Sequence, residues 1–294
     1  MTPAAFFSGY VTIIGRPNVG KSTFMNHILG TKISITTAKP QTTRDRILGI
    51  WNDPDTQIVF LDTPGIHASD KALNRYMLDK AISTISDADI ALVMADHLDT
   101  PETLLEVAGF VQKARKESFL VLNKVDLMSE SVACERLEQL GRVYDFTYRC
   151  TISSTLGTGI DDLMAQIRKR LPEGPRYFPE DMITDSPMRF ICKELIREKV
   201  FTLLQKEIPY AVAVEIEEYR EEAPVLIRAA IHVEKDSQKR ILIGSGGRML
   251  KEIGTQARRD IEDLVGERVF LELFVKVTRD WSKSPKSLKD LGYK

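Results

Sequence analysis

The stretch from Gly15 to Ser22 reads GRPNVGKS, and it fits the pattern G-x-x-x-x-G-K-[ST]. Glycines at 15 and 20 let a backbone come close to a bulky anion, because neither carries a Cβ. Ahead of it, Tyr10-Val11-Thr12-Ile13-Ile14 is apolar and β-branched and predicts a strand; behind it, Ser22 to Leu29 predicts a helix stopped by Gly30. A strand, a glycine loop and a helix start aim backbone N–H groups and the positive end of a helix at phosphate. In that setting Lys21 reaches the β- and γ-phosphates of a nucleotide, and the Ser22 hydroxyl ligates Mg²⁺. A glycine turn with no ligand is the plain alternative, and the flanking elements weigh against it.

The chain has 294 residues, room for one large domain or two ordinary ones, with 43% apolar content and a formal charge of -1. Cys134, Cys150 and Cys192 make no C-x-x-C pair, which disfavours a disulfide framework or a zinc ribbon. No apolar run approaches the ~20 residues that span a bilayer, and Met1 to Phe7 is too short for a signal peptide. A cytoplasmic protein is the expectation.

Thr31 to Arg46 is polar, threonine-rich and broken by Pro40, and predicts a loop. A loop of that length beside a phosphate loop reads as a switch segment, with Thr36, Thr37, Thr42 and Thr43 as candidate magnesium ligands. Two strands follow, Ile47 to Trp51 and Gln57 to Leu61, joined by a turn at 52–55. The second delivers Asp62-Thr63-Pro64-Gly65, where a carboxylate at a strand end holds Mg²⁺ through water and the Gly65 N–H senses a γ-phosphate. Ala88 to Ala95 and Phe119 to Leu122 are unbroken apolar strands, typical of a parallel sheet buried on both faces. The latter ends in Asn123-Lys124-Val125-Asp126. A carboxylate there accepts from guanine N1–H and the exocyclic amine, which adenine cannot offer. Tyr148 to Ile152, then Ser153-Ser154-Thr155 and a helix from about Gly159 to Leu171, complete an alternating α/β pattern with its ligand at the carboxyl ends of the strands.

GRPNVGKS, QTTR at 41–44, DTPG, NKVD and SST resemble the five nucleotide-binding motifs of the TrmE–Era group of Ras-like GTPases. The resemblance implies a P-loop Ras-like domain that binds GTP or GDP through Gly15, Arg16, Pro17, Asn18, Val19, Gly20, Lys21, Ser22 and Thr23. It extends the set to Asp62, Thr63, Pro64, Gly65 and Ile66, to Asn123, Lys124, Val125 and Asp126, and to Ser153, Ser154 and Thr155. Ser22, Thr43 and Asp62 are the implied magnesium residues; Lys21, Thr43, Gly65 and Asn18 are the implied catalytic ones, with Asn18 placed for a potassium ion. The position after DTPG is Ile66, so the glutamine of Ras-type enzymes is missing and slow intrinsic hydrolysis is expected. Ser154 stands where this group commonly has alanine, and the backbone N–H is the expected contact there.

Leu171-Pro172-Glu173-Gly174-Pro175 and the prolines at 179 and 187 predict a linker over 174–187, between a domain at 1–173 and one at 188–294. Apolar spacing predicts a helix from Arg189 to Lys206, then strands at 211–219 and 224–233. Ile243-Gly244-Ser245-Gly246-Gly247 lies between two helices, the second reaching about Leu264, and a strand closes the unit at 268–277. This α-β-β-α-α-β order with its glycine loop resembles a bacterial-type KH domain, an α+β fold whose loop clamps a few single-stranded nucleotides. Arg240, Ile243, Gly244, Ser245, Gly246, Gly247, Arg248, Lys251 and Arg258 are the RNA-binding candidates, and Ser245 stands where lysine is common. A bare helix–helix turn with solvated cations is the alternative.

A GTPase domain followed by a KH domain is similar, over the whole chain, to the Era family of bacterial ribosome-assembly GTPases. That resemblance implies binding to the 3′ region of 16S ribosomal RNA, a role in assembling the 30S subunit, peripheral contact with the inner membrane, and action as a monomer. An RNA-modification partner and a signalling switch whose second domain binds protein are the competing readings. The first lacks its helical middle domain and terminal cysteine motif here.

Overall fold

The computed structural model describes residues 5–37, 39, 42–66, 72–205 and 207–293. Pro40 and Gln41 of the threonine loop, and Lys206, lie outside them. The described residues form two compact units: 5–34, 43–66 and 77–185 in the first, and 35–37, 39, 42, 72–76, 186–205 and 207–293 in the second.

In the first unit β1 (Phe7–Ile14) leads through the glycine loop into α1 (Lys21–Leu29), which Gly30 closes in the left-handed conformation. β2 (Ile47–Asp53) and β3 (Thr56–Asp62) follow, then α2 (Ala72–Asp87), which enters this unit from residue 77 onward, β4 (Ile90–Ala95) and α3 (Pro101–Ala114). β5 (Glu117–Leu122), α4 (Glu130–Gly141), β6 (Tyr148–Thr151) and α5 (Ile160–Arg168) complete it. The sheet order is β2-β3-β1-β4-β5-β6, parallel except for β2, which pairs antiparallel with β3. All residues of β3 and β4 are buried; β4 is an unbroken apolar strand, while β3 buries Thr56, Gln57 and Asp62 along with its apolar residues. The ends of β1, β3 and β5 therefore present Gly15, Asp62 and Asn123 along one edge.

The proline-bearing stretch after α5 stays with this unit. Buried Gln57 donates to Phe178 O at 2.9 Å and accepts from the Tyr177 N–H at 2.8 Å. Tyr177 stacks on Tyr10 with ring centroids 5.3 Å apart, and Phe178 and Met182 cover Leu48, Ile50, Val59 and Leu61.

In the second unit α6 (Met188–Leu203) precedes β7 (Ala213–Arg220) and β8 (Val225–Val233). α7 (Asp236–Ile243), α8 (Arg248–Val265), β9 (Val269–Val277) and α9 (Pro285–Asp290) follow. β8 is central, antiparallel to β7 and parallel to β9. α6 packs on β7 and α8, and α8 on β9. Trp281 is fully buried and donates to Ala211 O at 2.9 Å, capping the core as an indole with a satisfied N–H does. Residues of the threonine loop also join this unit: Thr36 N–H donates to Glu198 Oε2 at 3.4 Å, and Arg197 donates to Thr42 O.

Candidate functional site

The glycine loop owes its shape to three positive φ angles, at Gly15 (156°), Asn18 (66°) and Gly20 (103°). A Cβ at Gly15 would stand 2.3 Å from Met94 O, and one at Gly20 would stand 2.1 Å from Asn123 Nδ2. Both positions are closed to any side chain. Lys21 opens α1 and folds back over the loop, its Nζ donating to Arg16 O at 2.9 Å and Gly15 O at 3.3 Å. Burial pulls its ammonium down to about 8 from an ordinary 10.5, against the opposing pull of Asp62 and Asp99. Val19 is buried beneath the loop, while Pro17 and Thr23 are half-buried.

Next to it Ser22, Thr43 and Asp62 come together. Ser22 Oγ lies 3.0 Å from Thr43 Oγ1 and donates to Asp62 Oδ2 at 2.7 Å; Ser34 Oγ donates to the same oxygen at 2.8 Å. Asp62 Oδ1 is buried with no hydrogen-bond partner. Burial pushes the Asp62 carboxyl above its usual range, with Lys21 and the two hydroxyls opposing. One carboxylate with an open oxygen and two hydroxyls suits Mg²⁺, a hard cation that takes few protein ligands and shares itself with phosphates. Among the described residues no three His, Cys, Asp or Glu side chains gather into an all-protein metal cage.

Thr63 turns its hydroxyl onto Ile13 O at 2.7 Å, and the Ile66 N–H donates to Gly15 O at 3.1 Å, which lashes the DTPG turn to the glycine loop. Pro64 is buried within that turn. A Cβ on Gly65 would meet the Pro17 nitrogen at 2.5 Å, so the two backbones touch. Ile66 is buried in the apolar core, and no polar side chain stands at its position.

At the other end Asn123 is a brace. Its Nδ2 donates to Val19 O at 2.8 Å, and its Oδ1 accepts from the Ser154 N–H and the Ser154 hydroxyl, both at 2.9 Å. The Ser154 N–H, expected at the base, is thus engaged by Asn123. Asp126 is held by Ser153 Oγ at 2.6 Å; Val125 begins the 3-10 turn that carries it, and Thr155 is exposed. Lys124, at φ 61°, donates to Asp96 Oδ2 at 2.7 Å. Asp96, Asp99 and Ser34 escaped the sequence reading. The acids stand at the carboxyl end of β4, a position where a ligand-facing role is expected; Ser34 carried no signal.

In the second unit the α7–α8 loop holds Gly244 at φ 73°, Gly246 at 59° and Gly247 at 78°. A Cβ at Gly244 would meet Met249 Cβ at 2.8 Å, whereas nothing lies within 4 Å of one at Gly246 or Gly247. That open face borders a cleft of about 440 Å³ lined by Gly247, Leu250, Lys251, Gly254, Thr255, Arg258, Leu271 and Leu273. Of the predicted RNA contacts, Gly247, Lys251 and Arg258 line it. Arg240 and Ile243 lie at the end of α7, Gly244, Ser245 and Gly246 in the loop, and Arg248 opens α8 and donates to Ser245 O at 3.3 Å. Leu250, Gly254 and Thr255 are absent from the sequence reading, although their positions at i+3, i+7 and i+8 from Gly247 put them on one helical face.

Residues 10–124 match the family model described as a 50S ribosome-binding GTPase, and 207–282 match the KH domain. The chain is 49% identical to the GTPase Era of Geotalea daltonii and 50% identical to that of Geobacter metallireducens, each over the whole of both chains. The chain belongs to the Era family of GTPases. Two crystal structures of Era match it at a TM-score of 0.94 and 38% identity, covering 98% of this chain and 99% of the other. One is an Aquifex aeolicus Era variant bound to GDP and aluminium fluoride; the other is Era in complex with MgGDPNP and nucleotides 1506–1542 of 16S ribosomal RNA. An Era-family chain is a P-loop GTPase domain joined to a KH domain, as the two units of this structure are.

Proposed function

We propose that this chain is a GTP-hydrolysing switch that binds the 3′ region of 16S ribosomal RNA and assists assembly of the 30S subunit. The observation that carries the first half is the meeting of Ser22, Thr43 and Asp62 beside the glycine loop. The second half rests on the open glycine loop and its cleft, and on the likeness to an Era solved with that stretch of RNA. We divide the chain into a nucleotide domain at 1–173, a connecting segment at 174–187 and an RNA-binding domain at 188–294.

In this reading the backbone of residues 15–20 and the Lys21 ammonium hold the β- and γ-phosphates, with Ser22, Thr43 and Asp62 positioned for Mg²⁺. Bound Mg²⁺ supplies charge that offsets the developing negative charge on the phosphates. The Gly65 N–H contacts the γ-phosphate, and loss of that phosphate on hydrolysis releases the loop before Thr43 and the turn after Asp62. Asp126 selects guanine, and the Lys124 stem lies against the ring. With Ile66 buried, no side chain there orients the attacking water, so hydrolysis is slow and a potassium ion at Asn18 assists it. Equal rates in KCl and NaCl at matched ionic strength would remove Asn18 from that role.

The KH cleft takes single-stranded RNA with Gly246 and Gly247 against the backbone and Lys251, Arg248 and Arg258 near phosphates. Its contact with the inner membrane is peripheral in this reading; no helix among the described residues is long and apolar enough to cross a membrane. The test is hydrolysis by Lys21→Ala, expected to fall by at least about 100-fold; a wild-type rate would sink the assignment.

A further inference from the structure

Two aspartates outside the recognised motifs join the ends of the nucleotide site. Asp96 follows β4 directly and Asp99 precedes α3; both side chains are only 3% exposed. The Asp96 N–H donates to Asp99 Oδ2 at 2.9 Å, and the Leu98 N–H to Asp96 Oδ1 at 2.9 Å, so each carboxylate is fixed by backbone. Arg136 of α4 donates to Asp99 O and, at 3.2 Å, to His97 O, which holds the turn from outside. Into this acid pair run two cations from opposite ends of the site. Arg16 Nε donates to Asp99 Oδ1, and its guanidinium reaches Asp96 Oδ1 at 3.4 Å. Lys124 Nζ donates to Asp96 Oδ2 at 2.7 Å.

Both cations direct their charge at these carboxylates. The Arg16 carbonyl is the one that accepts from Lys21 Nζ at 2.9 Å, so anchoring the Arg16 side chain fixes the backbone on which Lys21 rests. The Asp96 carboxylate likewise fixes the far end of the Lys124 side chain, whose backbone stands in the uncommon left-handed region at the start of the base-reading turn. Two nearly buried carboxylates side by side would repel each other without two cations, so the four charges stand or fall together.

We propose that Asp96 and Asp99 are positioning residues for nucleotide binding, acting through Lys124 and Arg16 to set the base-reading loop and the phosphate loop at a fixed separation. The inference rests on the nucleotide site proposed above. It is tested in the full chain by measuring the dissociation constants of fluorescent GDP and of a non-hydrolysable GTP analogue, with KM and kcat for GTP, in D96N, K124M and the double variant. D96N is expected to raise both dissociation constants, and KM, by the same factor of about tenfold, with the loss falling on KM rather than kcat. In the K124M background D96N should add much less, because the two act through one contact. D99N is read in the same way against R16M.

Thermal melts without nucleotide check folding. If D96N does not fold, K124M alone carries the test, and it must raise both dissociation constants equally. Wild-type constants in either folded variant, or an undiminished D96N effect in the K124M background, overturn the inference. Wild-type protein that bound no GDP would overturn the site reading itself before any variant was compared.

Discussion

The Ser22 hydroxyl donates to Asp62 Oδ2 across 2.7 Å, joining the first turn of α1 to the last residue of β3. The other Asp62 oxygen has no partner. In Asp62→Asn the shape survives but the charge is lost, and a metal held there loses its one protein carboxylate. GTP hydrolysis should fall by about 100-fold, and the magnesium concentration for half-maximal rate should rise. Single-turnover rates across a magnesium series check this; an unshifted magnesium midpoint would count against the metal site.

Gly65 faces the Pro17 nitrogen so closely that a Cβ would stand 2.5 Å away. The neighbour is backbone and cannot swing aside, so Gly65→Ala must push the turn off the glycine loop. The γ-phosphate contact should be lost while the α- and β-phosphate contacts remain. Affinity for a GTP analogue is expected to drop by about tenfold relative to GDP. Equal losses for both nucleotides would mean that Gly65 only packs.

Asp126 is held through one oxygen by Ser153 Oγ at 2.6 Å, and an asparagine oxygen can accept that bond unchanged. Asp126→Asn should therefore stay in place while turning one acceptor into a donor. Guanine nucleotides, which need two acceptors, should lose roughly 10⁴-fold in affinity. Xanthine nucleotides, whose C2 carbonyl replaces the amine, should gain. A competition assay between GDP and XDP reads the change, and undiminished GDP binding would falsify the base assignment.

His232 is buried in the KH sheet, its Nδ1 2.8 Å from Thr278 Oγ1 and its Nε2 3.1 Å from Glu215 Oε2. Burial pulls the imidazole below its ordinary 6.5, assisted by Lys276 and opposed by Glu215 and Glu217. The unfolded chain then binds a proton that the folded one refuses in the window just below pH 6.5. Stability is complete above that window and is lost as the pH falls through it. Thermal melts from pH 7.5 to 5 should show a decline that His232→Gln flattens; a parallel decline in both proteins would exclude this histidine as the cause.

Much of this was legible beforehand because glycine, proline and unbroken apolar runs have few structural solutions. GRPNVGKS gave its loop and helix, and the apolar strands ending in Asp62 and Asn123 gave the edge where ligands gather. The glycine loop at 244–247 and the strands around it gave the KH order. What escaped was long-range and polar. Helices α2 and α4 are also absent from the sequence reading. The Asn123–Ser154 brace and the Asp96–Lys124 bridge join residues 31 and 28 positions apart, which no local pattern records. The stretch after α5 looked like free linker because its prolines forbid regular structure, yet Gln57 binds it through side-chain hydrogen bonds.

The most direct test joins both halves of the molecule. A labelled oligonucleotide from the 3′ end of 16S ribosomal RNA is titrated with the full chain bound to a GTP analogue, to GDP and to nothing, over a salt series. Tight binding that depends on sequence is predicted, with loss in Gly246→Asp. That change should spare the fold, since nothing lies within 4 Å of a Cβ there and aspartate tolerates the observed φ of 59°. Any difference between nucleotide states gives the coupling energy of the switch. Weak binding that ignores sequence, vanishes with modest salt and survives Gly246→Asp would contradict the account.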